Sequence, residues 1–480
     1  MGQFDRLADV TENVNSKPFG LPRHQTLRNR TIAMPKTRSR QKPSRRPTRF
    51  QYRSGSAKDN LTHYLFRYPA KFHPPIVREL IKRFSRKGDV ILDPFVGSGT
   101  LLVEALKMGR HSIGIDVDPI AVEVARAKVM RFNIKKLDIA ANRLLRSLSK
   151  YERPAIEYTR RMHIDLSVAS FREQLAPVRQ YVPQIPDIEH WFRRYVIVDL
   201  ARILRTIDRS SIGSRPKRFF KVVFASVIRN SSNADPVPVS GLEVTSHMLR
   251  LDAEGRLINP FTLFRRAIRS ALQSIESLNE AAPRGITTCV IAGSATAGHR
   301  AVQKPVDAVI TSPPYQGAVD YYRRHKLEMY WLDLTKTESE RLKLLDRYIG
   351  RVTVPARLVH DELQIGPLAS RWAKRIGKRS RARAAGFTHY VQSMSAMFEG
   401  IARQMRPGRP AVFVVGNSNW KGLEIPTVRL LEEAAGRYFS LDEILTYPIK
   451  NRYMSYTRHN GANIRKEYVL VMRRTRTRCA

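Results

Sequence analysis

Cysteine is almost absent from the chain. Its 480 residues carry Cys289 and Cys479 alone, too few for a disulfide framework and without the spacing of a zinc site. No apolar run is long enough to cross a bilayer, and no leader pattern of charged, apolar and small residues opens the sequence. These absences lead to the expectation of a cytoplasmic protein with no membrane partner and no metal. Acids are also scarce, 42 Asp+Glu against 85 Lys+Arg, which leaves a formal net charge of +43. An excess of that size points to a polyanion, most simply nucleic acid; a solvated basic surface with no partner is the plainer alternative. With 42% hydrophobic residues the chain is globular rather than disordered, and its length allows more than one domain.

Two familiar nucleotide signatures are missing from the stretch around which the rest is organised, Asp93-Pro94-Phe95-Val96-Gly97-Ser98-Gly99-Thr100. No Lys-Ser/Thr pair follows the glycines, which excludes a phosphate-binding loop. Leu102 stands where a dinucleotide site needs its third glycine. What is present is an apolar run, Val90 to Leu92, then the glycine turn, then an amphipathic run from Leu101 to Met108 closed by Gly109. That order predicts a buried strand, a tight turn and a helix whose first N–H groups are free for a ligand. A second strand over Ser112–Ile115 ends at Asp116, about 20 residues past the glycines, where an acid can accept from ribose hydroxyls. Asp93 would repel a pyrophosphate but suits an ammonium. S-adenosylmethionine offers an ammonium, a sulfonium and a ribose, although an ordinary β-turn-α connection would leave much the same trace.

Residues 63–119, from His-Tyr-Leu-Phe-Arg-Tyr-Pro-Ala-Lys-Phe-His-Pro through the glycine stretch to Gly-Ile-Asp-Val-Asp-Pro, resemble the cofactor half of amino-group DNA methyltransferases. Thr311-Ser312-Pro313-Pro314-Tyr315 resembles their catalytic motif, in the Ser-Pro-Pro-Tyr form commonest among cytosine-N4 enzymes. The resemblance implies a Rossmann-like α/β sheet and S-adenosyl-L-methionine as cofactor. It implies cofactor contacts from Phe72, Asp93, Phe95, Gly97, Ser98, Gly99, Thr100 and Asp116, and catalysis by Ser312, Pro313, Pro314 and Tyr315. Ser294 stands where the family often carries an acid against the adenine, a departure. Double-stranded DNA is the implied partner, while a restriction endonuclease partner and the oligomeric state stay open.

Along the chain we expect six parts. Residues 1–60 form a basic arm, with nine Lys or Arg and no acid from Lys36 to Lys58; folding proper is expected near Leu61. The cofactor part covers 61–130 and a mostly helical insertion 131–285. In that insertion, periodicity predicts one helix through Ile188, Trp191, Phe192, Tyr195 and Val198, and another capped by Asn259-Pro260. The second helix carries Arg265, Arg266 and Arg269 on its outer face, to track phosphates or simply to be solvated. The catalytic part spans 286–335, a basic, mobile segment 336–385, and the C-terminal part of the sheet 386–480, with the insertion and the 336–385 segment as the two candidates for contacting and recognising DNA.

The motif makes chemical sense. The lone pair of an exocyclic amine is delocalised into its ring, so a catalyst must localise it by accepting hydrogen bonds from the amine hydrogens. Ser312 Oγ and the Pro313 carbonyl are the expected acceptors, on a loop that two prolines keep stiff. Nothing nearby activates Ser312 as a base. Tyr315 offers a flat face to a base flipped out of the duplex. Neither cysteine lies in a Pro-Cys setting, which argues against carbon-5 methylation. The resemblance of the Ser-Pro-Pro-Tyr motif to that of cytosine-N4 enzymes implies cytosine N4 as the expected target. The alternatives are adenine N6, an amino group of RNA such as guanine N2, and a non-catalytic nucleic-acid-binding protein on the same scaffold.

Overall fold

The structure, a computed structural model, describes residues 46–56, 59–69, 71–236, 242–303, 305–317, 321–360, 365–449 and 466–476, with backbone alone at 321–322. Most of the basic run over 36–58, Cys479, and the chain over 450–465 lie outside the described residues.

Among the described residues ten strands are formed: β1 (Thr48–Arg49), β2 (Val90–Asp93), β3 (His111–Asp116), β4 (Thr288–Ala292), β5 (Ala308–Thr311), β6 (Pro410–Val415), β7 (Ser418–Trp420), β8 (Leu423–Ile425), β9 (Phe439–Pro448) and β10 (Lys466–Arg474). Eight of them make one sheet in the order β1-β9-β10-β6-β5-β2-β3-β4, and β7 pairs with β8 as a hairpin. All pairings in the large sheet are parallel except those of β10 with β6 and β9.

Both faces of the sheet are covered, which is why its strands read as near-continuous apolar runs. Ile91, Ile310, Val412, Val414, Val469 and Val471 pack under helices α1 (Pro74–Phe84) and α2 (Thr100–Lys107). Their neighbours Leu92, Val309, Phe413, Val415, Leu470 and Met472 face the opposite way, against the helices Arg381–Arg403 and Thr427–Ala435. Helix α3 (Pro119–Lys128) follows β3, with Asp118 as its side-chain cap.

Between β3 and β4 the described residues form helices and no strand. These helices share one apolar core with Ile120 and Val124 of α3 and with Leu327, Tyr330 and Trp331. The helix Pro260–Ala281 is capped by Asn259, whose Oδ1 accepts from the Thr262 N–H at 2.9 Å.

Three expectations need correction. Folding begins before Leu61: Thr48–Arg49 adds an edge strand to β9, and Phe50 is buried beside Tyr52 and Tyr447. The surrounding arginines hid that aromatic anchor. The helix expected through Ile188–Val198 is two, Ile188–Trp191 and Arg194–Arg209, because the Asp165 carboxylate accepts from Arg194 N–H and caps a fresh start. The segment 336–385 is not a featureless mobile stretch: it holds the helix Pro367–Gly377 and the start of Arg381–Arg403.

Candidate active site

The sheet order places β2 between β3, which follows it in the chain, and β5, which is reached only after the insertion. At such a switch point the connections leave to opposite sides and open a crevice beyond the carboxyl ends of the strands. Asp93 ends β2, Asp116 ends β3 and Thr311 ends β5.

The glycine turn is shaped by these acids. Gly97, at φ +48, donates its N–H to Asp116 Oδ2 at 2.7 Å. Gly99, at φ +79, leads into α2, and a Cβ there would stand 3.0 Å from Ala125 Cα. Asp116 Oδ1 accepts from the Asp118 N–H at 2.9 Å. Asp93 Oδ1 accepts from Phe95 N–H at 3.1 Å and from the Thr311 hydroxyl at 2.6 Å. One buried hydroxyl thus ties β2 to β5, the strand that leads into the Ser-Pro-Pro-Tyr loop.

The carboxyl ends of these strands open into one cleft. Phe72, Asp93, Phe95, Gly97, Ser98, Thr100 and Asp116 line it, and Ser312 and Pro314 close one end. Burial pushes the Asp93 carboxyl up to about 7, against the pull of the Thr311 and Phe95 hydrogen bonds. Asp116 also rises to about 7, through burial first and then the nearby Asp118 charge. Two carboxyl groups held this far above their usual range want a cation beside them. The hydroxyls of Ser98 and Thr100, both buried, have no partner among the described residues. An ammonium, a ribose and an adenine fit this set of donors and acceptors, so the residues present suit S-adenosylmethionine.

At the Ser-Pro-Pro-Tyr loop, Ser312 Oγ donates to the Val414 carbonyl at 3.1 Å. Its only hydrogen is engaged there, which leaves the oxygen lone pairs for a donor in the cleft. The Tyr315 hydroxyl donates to Glu467 Oε1 at 2.6 Å, so β10 holds that ring. Three residues expected at the site are not among those lining the cleft: Gly99, Pro313 and Tyr315. Gly99 shapes the turn and lets α2 meet α3, Pro313 is buried, and Tyr315 is anchored away towards β10.

Sequence reasoning passed over Tyr68, Lys71, Asp118 and the segment Arg347–Ile349, which also line the cleft. Lys71 donates to the His63 carbonyl at 3.3 Å, and burial lowers its ammonium to about 8. It stands one residue before Phe72, so its position in the motif was the available signal. Nothing local marks Arg347–Ile349, which reach the cleft through a fold-back of the chain.

The fold and the cleft together define a Rossmann-like, S-adenosylmethionine-dependent methyltransferase. Residues 16–127 match a family model described as DNA methylase. The Type II methyltransferase M.MvaI of Kocuria varians is 25% identical over 399 residues, spanning 79% of this chain and 82% of that one. The Type II methyltransferase M.BsoBI of Geobacillus stearothermophilus is 24% identical over 442 residues, 82% of this chain and 81% of its own. A shorter stretch of 75 residues, 16% of this chain and 14% of the relative, is 44% identical to the Type II methyltransferase M.MjaII of Methanocaldococcus jannaschii. The chain is similar to amino-group DNA methyltransferases over most of its length. Among the described residues, no helix is long and apolar enough to cross a membrane.

Proposed function

We propose that this enzyme methylates N4 of a cytosine flipped out of duplex DNA. The observation that carries the reading is the state of Ser312. Its hydroxyl hydrogen is committed to Val414, and its lone pairs stand at the end of the cleft that Asp93 and Asp116 begin. A neutral hydroxyl held as an acceptor can take one hydrogen of an exocyclic amine and sharpen the nitrogen lone pair. The Pro313 carbonyl is the second acceptor in this scheme, and Tyr315 the face against which the base stacks. Serine, rather than an acid, ahead of Pro-Pro-Tyr favours cytosine over adenine.

In the cofactor half, Asp93 takes the ammonium, Asp116 the ribose hydroxyls, Lys71 the carboxylate, and Phe72 and Phe95 the apolar faces. S-adenosylmethionine, when bound, supplies an electrophilic methyl. Thr311 keeps the two halves in register, because its hydroxyl grips Asp93 while its chain neighbour is Ser312. The proton leaves the nitrogen after it has become cationic, so no activated base is required of the protein.

The test uses a cofactor with a labelled methyl and separate pools of duplex DNA and total RNA, each digested to nucleosides. Label in N4-methylcytosine is the expected result. Label in N6-methyladenine overturns the base assignment, and label confined to RNA overturns the substrate class.

A further inference from the structure

We propose that the outward face of the helix Pro367–Gly377, continued by Arg379 and Arg381, carries the phosphate backbone of the duplex whose base enters the cleft. This rests on the DNA-methylation reading above and specifies which surface of the protein does the binding.

The helix is divided by charge. Arg371, Lys374, Arg375 and Lys378 recur at i, i+3, i+4 and i+7 and are exposed, so they form a single stripe. Ala369, Trp372, Ala373 and Ile376 repeat the same spacing on the other side and pack into the core beneath the sheet. No Asp or Glu occurs from Ile365 to Phe398. Among the described residues, none of these four cations forms an ion pair. At 1.5 Å per residue the stripe is about 10 Å long, which matches about three phosphate-to-phosphate steps of one strand at an axial rise of about 3.4 Å, one phosphate for each cation. Arg375 lies 4.9 Å over the Trp372 ring, which stiffens the side chain for a fixed contact.

Several arginines of the helical insertion are paired instead, although Arg143, Arg146, Arg266 and Arg269 are exposed there. Arg153 pairs with the buried Asp199, Arg193 with Asp252 and Arg218 with Glu123. Arg265, on the helix expected to track phosphates, pairs with Glu152. These charges are spent on holding the insertion together. The exposed basic helix of that region, Ile134–Ser149, includes Asp138 and packs chiefly on Arg194–Arg209 and Pro260–Ala281.

Position decides between the two surfaces. Arg379 donates to the Lys421 carbonyl at 3.0 Å, and Arg383 lies 4.7 Å over the ring of Trp420. An Arg383 Nη is 3.0 Å from where a Cβ of Gly317 would stand. Gly317 in turn donates to the Gly350 carbonyl at 2.8 Å, and Gly350 packs against Pro314 and Tyr315. The stripe is therefore joined, through Arg383 and the segment around Gly350, to the loop on which the target base must land. A backbone held there presents its flipped nucleotide to Ser312.

The experiment measures duplex affinity against salt by fluorescence anisotropy, for the parent and for a variant with Arg371→Ala, Lys374→Ala, Arg375→Ala and Lys378→Ala together. Each lost phosphate contact removes about 0.9 from the slope of log affinity against log salt, so four remove about 3.6. Between about 50 and 200 mM salt, parent affinity should then fall roughly a hundredfold more than variant affinity. Lys374→Ala and Lys378→Ala alone should each lower the slope by about one, which keeps the proposal testable if the fourfold variant folds poorly. Cofactor affinity reports the fold and should stay unchanged in all of them. A comparison variant on the insertion, Arg143→Ala, Arg146→Ala, Arg266→Ala and Arg269→Ala, should keep the parent slope. Unchanged slopes in the first set, or a loss only in the insertion variant, overturn the proposal while leaving DNA methylation intact. A parent that binds cofactor and methylates no DNA overturns the underlying reading instead.

Discussion

Thr311→Val removes one hydroxyl and keeps the shape of the side chain. Thr311 is fully buried, so no water can replace its donation to Asp93 Oδ1 at 2.6 Å. A hydrogen bond to a charged group contributes about 1.5–3 kcal/mol. At about 1.4 kcal/mol per pKa unit, the loss raises Asp93 by about one to two units, starting from about 7. At about pH 7.5 the ionised fraction then falls from about three quarters to between about a fifth and a fiftieth. An ammonium binds the ionised carboxylate, so cofactor affinity should weaken roughly fourfold to fortyfold at that pH. The ratio of variant to parent should close towards one by about pH 9.5, where both carboxyls are ionised. Isothermal titration calorimetry with S-adenosylhomocysteine, which carries the same ammonium, measures this across pH, with Thr311→Ser as the variant that retains the hydroxyl. A Thr311→Val protein whose affinity and pH profile match the parent refutes the assignment of Asp93 to the ammonium.

Ser312→Ala should lower kcat by about 10²–10³ with cofactor affinity within about twofold, by single-turnover methyl transfer and calorimetry; full activity in that variant removes Ser312 from the chemistry. Glu467→Ala releases the Tyr315 hydroxyl and should cost about tenfold in kcat/KM for DNA, an effect that Tyr315→Phe should reproduce; unaltered kinetics in both would mean that the anchor is idle. Relative to an Asp93→Asn variant, the cofactor-free protein should lose stability as pH rises from about 4 to 7. Asp93 is then protonated in the folded state and ionised in the unfolded one, a difference of at most about 4 kcal/mol. The comparison with the variant cancels the opposing contribution of the buried His63, held down to about 4, and is read by urea denaturation; a parent that loses no stability relative to the variant over this range contradicts the raised Asp93 carboxyl. Gly99→Ala places a Cβ at φ +79 and 3.0 Å from Ala125 Cα. It should destabilise the protein by about 1–2 kcal/mol or more and weaken cofactor binding, both measurable by denaturation with and without ligand.

The sequence by itself determined the elements that depend on local pattern. The apolar run before Asp93, the glycines after it and the spacing to Asp116 specify a strand-turn-helix-strand unit wherever they occur, because strand burial, left-handed turns and helix starts are local requirements. The Asn259-Pro260 cap and the Ser-Pro-Pro-Tyr loop were legible for the same reason. Tertiary structure alone decided which groups meet. The Thr311–Asp93 hydrogen bond joins residues separated by 218 positions, and Tyr315 reaches Glu467 across 152. No periodicity encodes such pairings, which follow from the strand order at the switch point. Segment 347–352 arrives over the catalytic loop in the same way, through packing between remote glycines. Charge shows the division most clearly. Composition announced a basic surface, yet whether an arginine is tied to a carboxylate or left facing solvent depends on what the fold sets beside it.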